Sequence, residues 1–186
     1  MGVYMRLAQL NLAIILGLVC LHTYARAQTG HSQQKWPTVF APEVDTGFEH
    51  SQPPSDAILD ALMKSPEVAN TNFEDKKPDR ETVRQWFKVV RVNLGDANKE
   101  DYVVLGGGAY NGADQHWFWI VRVKAGNGQV LLFAPGLTIE ILRRKTNGYY
   151  NIRGSWGGNS GSVTRIFRYS DGKYQLASEH SEGPQK

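Results

Sequence analysis

The sequence predicts a mainly β protein, an antiparallel meander or small sandwich of about eight strands with one helix before them. Two observations lead to this class. From about residue 83 onward, short segments alternate apolar and other residues with a period of two. Brief turns rich in glycine and asparagine separate these segments, which leaves no room for the long crossovers of a parallel sheet.

The first 27 residues predict a secretory signal peptide. Arg6 precedes an apolar run over residues 10–21, and Ala25-Arg26-Ala27 is a small-x-small cleavage pattern. The run is shorter than the about 20 apolar residues that a spanning helix needs, although an uncleaved N-terminal anchor is the alternative. We therefore expect a periplasmic or secreted protein that has no membrane span once residues 1–27 are removed.

Removal of the signal peptide changes what the composition implies. The segment contains the single cysteine of the 186-residue chain and two of its arginines, so the formal net charge falls from +3 to +1. A chain without cysteine has no disulfides, no thiolate metal site and no cysteine nucleophile. A nearly neutral charge removes the general electrostatic basis for binding nucleic acid, so we expect no nucleic-acid partner.

Residues 28–54 predict a flexible tail, because they are rich in polar residues and proline and show no apolar periodicity. The alternative is an extended arm that docks on the domain through a few apolar side chains. These are Trp36, Val39, Phe40 and Phe48. We expect a single β-rich domain over residues 55–180 and a disordered C-terminus over residues 181–186.

A helix is predicted at the start of this domain, where Ser55 is suited to cap its N-terminus. Apolar residues recur on one face from Ile58 to Met63, and Pro66 ends the helix. A polar surface loop is expected over residues 69–80. The predicted strands lie near residues 86–94, 102–105, 116–124, 130–133, 137–141, 150–156, 163–169 and 174–176.

The strand predicted at residues 116–124 is apolar on both faces, so we expect it at the centre of a covered sheet. Dipeptides that favour tight turns follow several strands. They are Asn127-Gly128, Pro135-Gly136, Asn147-Gly148 and Asp171-Gly172. A basic run, Arg143-Arg144-Lys145, is expected at a solvated strand end rather than at a phosphate site.

The segment over residues 92–104 is the most specific motif of the chain. Apolar residues frame a polar loop that places Asn93 at its first ligand position and Asp101 at its last acidic position. The segment resembles the strand–loop–strand calcium loop of the FG-GAP/VCBS class. The resemblance implies calcium as a cofactor, with Asn93, Asp96, Asn98 and Asp101 as its ligands. Because glycine and alanine occupy the middle ligand positions, the alternative, a polar turn without metal or any other cofactor, is favoured.

The resemblance continues through turn and strand motifs and covers residues 85–178. These motifs are typical of small secreted bacterial proteins with one or two degenerate FG-GAP-like blades, and they imply a fold more than an activity. A full propeller needs at least about four blades of four strands. About eight strands are too few for that, so a compact sheet or sandwich is expected.

Two arrangements raise the alternative of a small secreted hydrolase. The segment around Ser160 resembles the nucleophile loop of glutamyl-endopeptidase-type proteases, whose chemistry needs a histidine base and an acid. The chain lacks that family's Ala-His context and the length for its two barrels, which favours an ordinary Gly/Ser loop. Asp114 and His116 form a second candidate acid–base pair at the start of a strand.

Aromatic residues give the remaining indication of function. Tyr149, Tyr150 and Trp156 flank a turn and a glycine-rich loop, and exposed aromatic rings on a rigid sheet suit recognition of sugars or proteins. The alternative is cross-strand packing within the sheet. The leading hypothesis is an exported, non-enzymatic binding module of the cell envelope whose partner is an envelope protein or a glycan.

Overall fold

The computed structural model describes residues 36–71, 78–96, 99–111, 115–158 and 161–183. It confirms a mainly β fold with two antiparallel sheets. The four-stranded sheet contains, in spatial order, Phe87–Val92 (β2), Glu100–Gly106 (β3), His116–Lys124 (β4) and Asn127–Gly136 (β5). The five-stranded sheet contains, in spatial order, Val39–Phe40 (β1), Thr138–Thr146 (β6), Tyr149–Gly158 (β7), Gly161–Ser170 (β8) and Lys173–Glu182 (β9).

Side chains from both sheets fill the space between them and form the main core. From the four-stranded sheet, β4 contributes Phe118 and Ile120, which have no exposed surface. From the five-stranded sheet, Ile139 of β6 and Ile152 of β7 are almost completely buried. The two sheets therefore form a sandwich, one of the two architectures that the sequence predicted.

A second core lies on the other face of the four-stranded sheet, under a helix over Asp56–Lys64 (α1). Leu59 and Leu62 of α1 are fully buried in this core. Trp119 and Val121 of β4 belong to it as well. β4 is thus covered on both faces and lies between β3 and β5, which confirms the central position predicted from its sequence.

Helix α1 begins and ends where the sequence predicts. The Ser55 side chain accepts a hydrogen bond from the backbone N–H of Ile58 at its N-terminus. Pro66 then opens a second short helix, Pro66–Ala69 (α2), where its missing N–H is tolerated. In the part of the chain that the structure describes, no helix is long and apolar enough to cross a bilayer.

A third helix lies directly before the first strand, where the apolar alternation was expected to begin at about residue 83. Residues Arg80–Gln85 form α3, and Trp86 ends this helix instead of lying in a strand. The Asp79 carboxylate accepts hydrogen bonds from the backbone N–H groups of Glu81 and Thr82, both at 2.9 Å. The apolar alternation was wrong here because this N-cap stabilises a helical turn directly before β2.

Residues 36–54 lie on the sandwich as the extended arm that the sequence left open. β1 pairs with β6, and Phe40 and Phe48 enter the main core. Further along the arm, Gln52 forms a bridge with β2. The packed unit therefore includes this arm. At the other end of the chain, β9 continues to Glu182, inside the segment predicted to be disordered.

The hairpin turn between β4 and β5 lies two residues before the predicted position. Ala125 and Gly126 adopt left-handed backbone angles (φ 49° and 76°), whereas Asn127 and Gly128 belong to β5. A Cβ atom at Gly128 would clash with the Ala57 carbonyl, so close packing of α1 on the hairpin requires glycine there. Two other predicted hairpin turns are confirmed, those at Asn147-Gly148 and Asp171-Gly172.

Candidate functional site

The most deeply buried ion pair among the described residues joins neighbouring strands. Asp101 of β3 faces Arg122 of β4 in the sheet register, and their side chains are 1% and 6% exposed. Arg122 donates from Nε to Asp101 Oδ1 (2.7 Å) and from Nη2 to Oδ2 (3.2 Å), so the pairing is bidentate. Burial is the largest single influence on the pKa of Arg122 and lowers it, but the hydrogen bonds with Asp101 and the Coulombic attraction of Asp101 and two nearby tyrosines together raise that pKa.

Two tyrosine rings enclose this ion pair. The Tyr169 hydroxyl accepts a hydrogen bond from Arg122 Nη1 (3.1 Å). The guanidinium carbon lies 4.7 Å from the Tyr149 ring centre and 5.4 Å from the Tyr169 ring centre. Lys99 donates to the Tyr149 hydroxyl (2.7 Å), and this bond is the main cause that raises the pKa of Lys99. We call this group the buried ion-pair cluster: Asp101, Arg122, Tyr149 and Tyr169.

The first two residues predicted as calcium ligands contact neighbours in their own loop. Asn93 Oδ1 accepts a hydrogen bond from the backbone N–H of Gly95 (2.7 Å), which closes a local turn. Asp96 lies 3.0 Å from the ammonium group of Lys99. Both contacts are typical of a polar turn between strands, the alternative that the sequence left open.

The other two predicted ligands differ in what the structure describes. Both carboxylate oxygens of Asp101 accept hydrogen bonds from Arg122, and Asn98 lies outside the described residues. Within the described ranges, no three histidine, cysteine or acidic side chains are grouped as a metal site would require. The calcium site stays untested, and calcium at Asp101 would have to compete with the guanidinium group, which favours the polar turn.

The three aromatic residues predicted to bind a partner do not form one surface. Tyr149 belongs to the buried ion-pair cluster, whereas Trp156 is exposed and lies seven residues further along β7. At ~3.3 Å per residue, that is a distance of about 23 Å along the strand. Tyr150 has a third environment, because it lies at the wall of a cleft.

This cleft lies where the N-terminal arm meets β6 and β7, and it has a volume of about 210 Å³. The backbone N–H of Ile141 donates to the carbonyl of Thr38 (2.7 Å), which fastens the arm to β6. Aromatic, amide and guanidinium groups converge on the cavity. Its lining residues are Trp36, Pro37, Thr38, Asn93, Ile141, Leu142, Arg143 and Tyr150. We call it the Trp36–Tyr150 cleft.

A positively charged side chain lies against each aromatic ring of the cleft. The Arg91 guanidinium carbon is 5.7 Å from the Trp36 ring centre, and Lys145 Nζ is 4.3 Å from the Tyr150 ring centre. Glu100 pairs with Arg91 at 3.3 Å and offsets its charge. Among the residues that the structure describes, the lining includes one arginine and no acid. The cleft therefore combines aromatic surface with positive potential.

A larger groove of about 680 Å³ lies between the edge strands β5 and β9 and is more open to solvent. Leu131, Phe167 and the exposed Leu176 contribute apolar surface, and Lys64 and Lys173 also line it. A groove of this openness encloses a small ligand less completely than the Trp36–Tyr150 cleft does. We therefore regard the smaller cleft as the better candidate site.

The candidate hydrolase residues are described in part. His116 Nε2 lies 2.8 Å from Glu43 Oε1, and Nδ1 lies 3.2 Å from Asn111 Oδ1. Asp114 and Ser160 lie outside the described residues. Because Glu43 belongs to the N-terminal arm, its contact with His116 connects the arm to β4.

Sequence reasoning did not assign the roles of Arg122, Trp36 and Arg143. The sequence carries a sign of Arg122, which is the one charged residue in the otherwise apolar segment 117–123. Docking of Trp36 was the alternative to a flexible tail, and its place in the cleft with Tyr150 depends on how the arm pairs with β6. Arg143 lines the cleft because of an irregularity in β6 that no local pattern predicts.

Comparison with known proteins finds no matching family, no similar curated protein and no similar solved structure. The resemblance to the FG-GAP/VCBS class therefore rests on the sequence motifs alone. The geometry of the Trp36–Tyr150 cleft and the charges around it are the features that bear on function.

Proposed function

We propose that this chain is an exported, non-enzymatic binding module of the cell envelope that holds a glycan in the Trp36–Tyr150 cleft. The observation that carries the proposal is the cleft itself. Trp36 and Tyr150 present aromatic surface, and Asn93 and Arg143 present polar groups, in a cavity of about 210 Å³. Sugar rings combine apolar faces with hydroxyl groups, so they fit this mixture of surfaces.

The described surface favours a glycan over an envelope protein. A stable protein interface buries about 1,200–2,000 Å² and relies on clustered aromatic or arginine anchors. The exposed large hydrophobic residues are spread over separate segments of the described chain. They are Val39, Val44, Trp156 and Leu176. A small, partly enclosed cleft suits a sugar ring better than a protein surface.

The cleft lining supports binding rather than catalysis. Glycoside hydrolysis ordinarily uses two carboxyl groups on either side of the scissile bond. The described lining of the cleft contains no carboxyl group and no histidine. A sugar bound there would therefore meet groups that stack and donate hydrogen bonds, and no acid–base pair.

The glycan proposal is tested by applying the purified protein to an array of bacterial and plant polysaccharides. We expect the wild type to bind at least one class of glycan and Tyr150→Ala to lose that signal. Trp156→Ala, an exposed aromatic residue of the same strand, serves as the matched control and should retain it. If the wild type binds no polysaccharide on the array, the proposed glycan function is wrong. Capture of an envelope protein instead would support the protein-binding alternative.

Export is tested separately on protein recovered from the producing cells. We expect the native protein in the periplasm or medium, with a mature N-terminus at Gln28, because cleavage is predicted after Ala27. N-terminal sequencing or intact mass measures this directly. A chain that retains Met1 in the cytoplasm contradicts the predicted localisation.

A further inference from the structure

Strand β6 is irregular beside the Trp36–Tyr150 cleft. Its pairing with β7 passes from Ile141–Ile152 directly to Lys145–Tyr150, so residues 142–144 on β6 oppose a single residue on β7. Such bulges re-aim side chains and are frequent next to functional sites. Here Leu142 and Arg143 both line the cleft, although neighbours in a regular strand point to opposite faces.

The bulge places an arginine at the cleft without a neutralising partner. Among the described residues, no carboxylate lies within ion-pair distance of Arg143, and its side chain is exposed. Lys145 lies against the Tyr150 ring and is likewise without a described acidic partner. Two nearby acids are already paired, since Glu140 of β6 itself contacts Arg153 (3.3 Å) and Glu100 of β3 contacts Arg91 (3.3 Å).

We propose that the glycan held in the Trp36–Tyr150 cleft is acidic, with a sugar carboxylate or phosphate bound by the Arg143 guanidinium. The inference rests on the proposed glycan-binding function and names its ligand class. A planar guanidinium matches the two oxygens of an anionic group, and the excess of unpaired cations raises the local concentration of anions. A neutral sugar would gain the aromatic contacts and leave these charges unused.

The experiment compares polysaccharides that differ in charge and share the same sugar ring. Galacturonan is set against galactan for the carboxylate, and phosphomannan against mannan for the phosphate. We expect the acidic member of at least one pair to bind about tenfold more tightly, the effect of one charge-assisted contact. The pair that responds identifies the source of the charge.

Two matched variants assign the preference to Arg143. Arg143→Gln should bring the acidic and neutral affinities to about the same value, whereas Arg168→Gln removes an exposed charge on β8 and should leave the preference intact. If the wild type binds the acidic and the neutral polysaccharide equally well, the proposal of an acidic ligand is wrong, and the proposal of a glycan-binding module is kept. A preference that survives Arg143→Gln overturns the role of Arg143. Absence of binding to every glycan overturns the proposed function itself.

Discussion

Two adjacent tyrosines of β7 have opposite environments. Tyr149 lies over the guanidinium of Arg122, and its hydroxyl accepts a hydrogen bond from Lys99, so every charge near it has a partner inside the protein. Tyr150 lies beside Lys145 and Arg143, neither of which has a described acidic partner. Two neighbouring residues of one strand thus belong to different clusters, one whose charges are paired within the protein and one whose cations have no described acidic partner.

The difference indicates what each region does. A buried cation that is fully paired makes the fold sensitive to the loss of either partner, and its hydrogen-bonding groups are already used inside the protein. A half-exposed aromatic cleft with unpaired cations adds little to stability but can bind an anion. Variants of the buried ion-pair cluster should therefore change stability, and variants of the cleft should change binding.

The largest expected effect comes from breaking the buried ion pair. Asp101→Asn leaves the Arg122 guanidinium buried with a neutral partner, which should lower the free energy of unfolding by about 3–5 kcal/mol. Urea denaturation measures this. The control is Asp96→Asn at the more exposed pair with Lys99, where we expect a change of about 0–1 kcal/mol. Equal effects of the two variants would show that the buried pair has no special role.

Replacing both partners tests the same pair in a second way. The double variant Asp101→Leu, Arg122→Met removes both buried charges together, so it should be more stable than Asp101→Asn alone. Denaturation curves of the three proteins give the comparison. A double variant less stable than Asp101→Asn would mean that packing at this position, rather than the unpaired charge, dominates the loss.

Alkaline pH should weaken the fold through Tyr174. Its hydroxyl donates to the Tyr150 carbonyl (2.8 Å), and burial raises its pKa above the ordinary value of 10.0. Below pH 10, both folded and unfolded states keep the proton, so this contribution to stability is complete. Above pH 10, the unfolded state ionises first, and stability falls by up to about 1.4 kcal/mol per pH unit until the folded pKa is reached.

The Tyr174→Phe variant isolates this effect. At neutral pH it should be about 1 kcal/mol less stable, because the hydrogen bond to Tyr150 is lost. Between pH 10 and 11.5, its stability should fall less steeply than that of the wild type. Burial also raises the pKa values of Tyr102 and Tyr110, so the difference between the two curves, rather than either slope, is the measurement. Parallel curves would contradict a role for Tyr174.

The strand pattern predicted the fold because its signals are local. Alternation and tight turns mark eight of the nine described strands, and the doubly apolar β4 revealed a covered sheet. Where a local signal competed with tertiary packing, prediction failed. Gly128 lies in β5, where the close approach of α1 requires glycine, instead of in a turn. Where two local signals competed, the Asp79 cap prevailed over the apolar alternation and placed a short helix directly before β2.

The site was harder to predict because the pairing register of separate strands brings its side chains together. The sequence grouped Tyr149 with Tyr150, but their partners come from different strands, Arg122 from β4 and Lys145 from β6. Asp101 has the position of a metal ligand in its motif, yet the pairing of β3 with β4 brings a guanidinium to it. A loop motif cannot reveal a partner supplied by another strand.

Removing the hydroxyl group of Tyr149 or of Tyr150 compares the two regions through smaller changes in stability. Tyr149→Phe loses the hydrogen bond from Lys99 and should cost about 1 kcal/mol of stability. Tyr150→Phe should change stability by less than about 0.5 kcal/mol, because its hydroxyl has no hydrogen bond among the described residues. Chemical denaturation under identical conditions measures both. A larger loss of stability in Tyr150→Phe than in Tyr149→Phe would show that the Tyr150 hydroxyl has a structural role.

The smallest expected effect is that of calcium. An ion that binds only the native state raises the melting temperature of the protein, since binding adds to the free energy of unfolding. At this loop, Arg122 occupies both oxygens of Asp101, and Lys99 contacts Asp96, so calcium would have to displace two cations. We therefore expect the same melting temperature in chelator and in millimolar calcium. A calcium-dependent rise that disappears in Asn93→Ala would show that the loop binds metal and that the cluster opens to admit it.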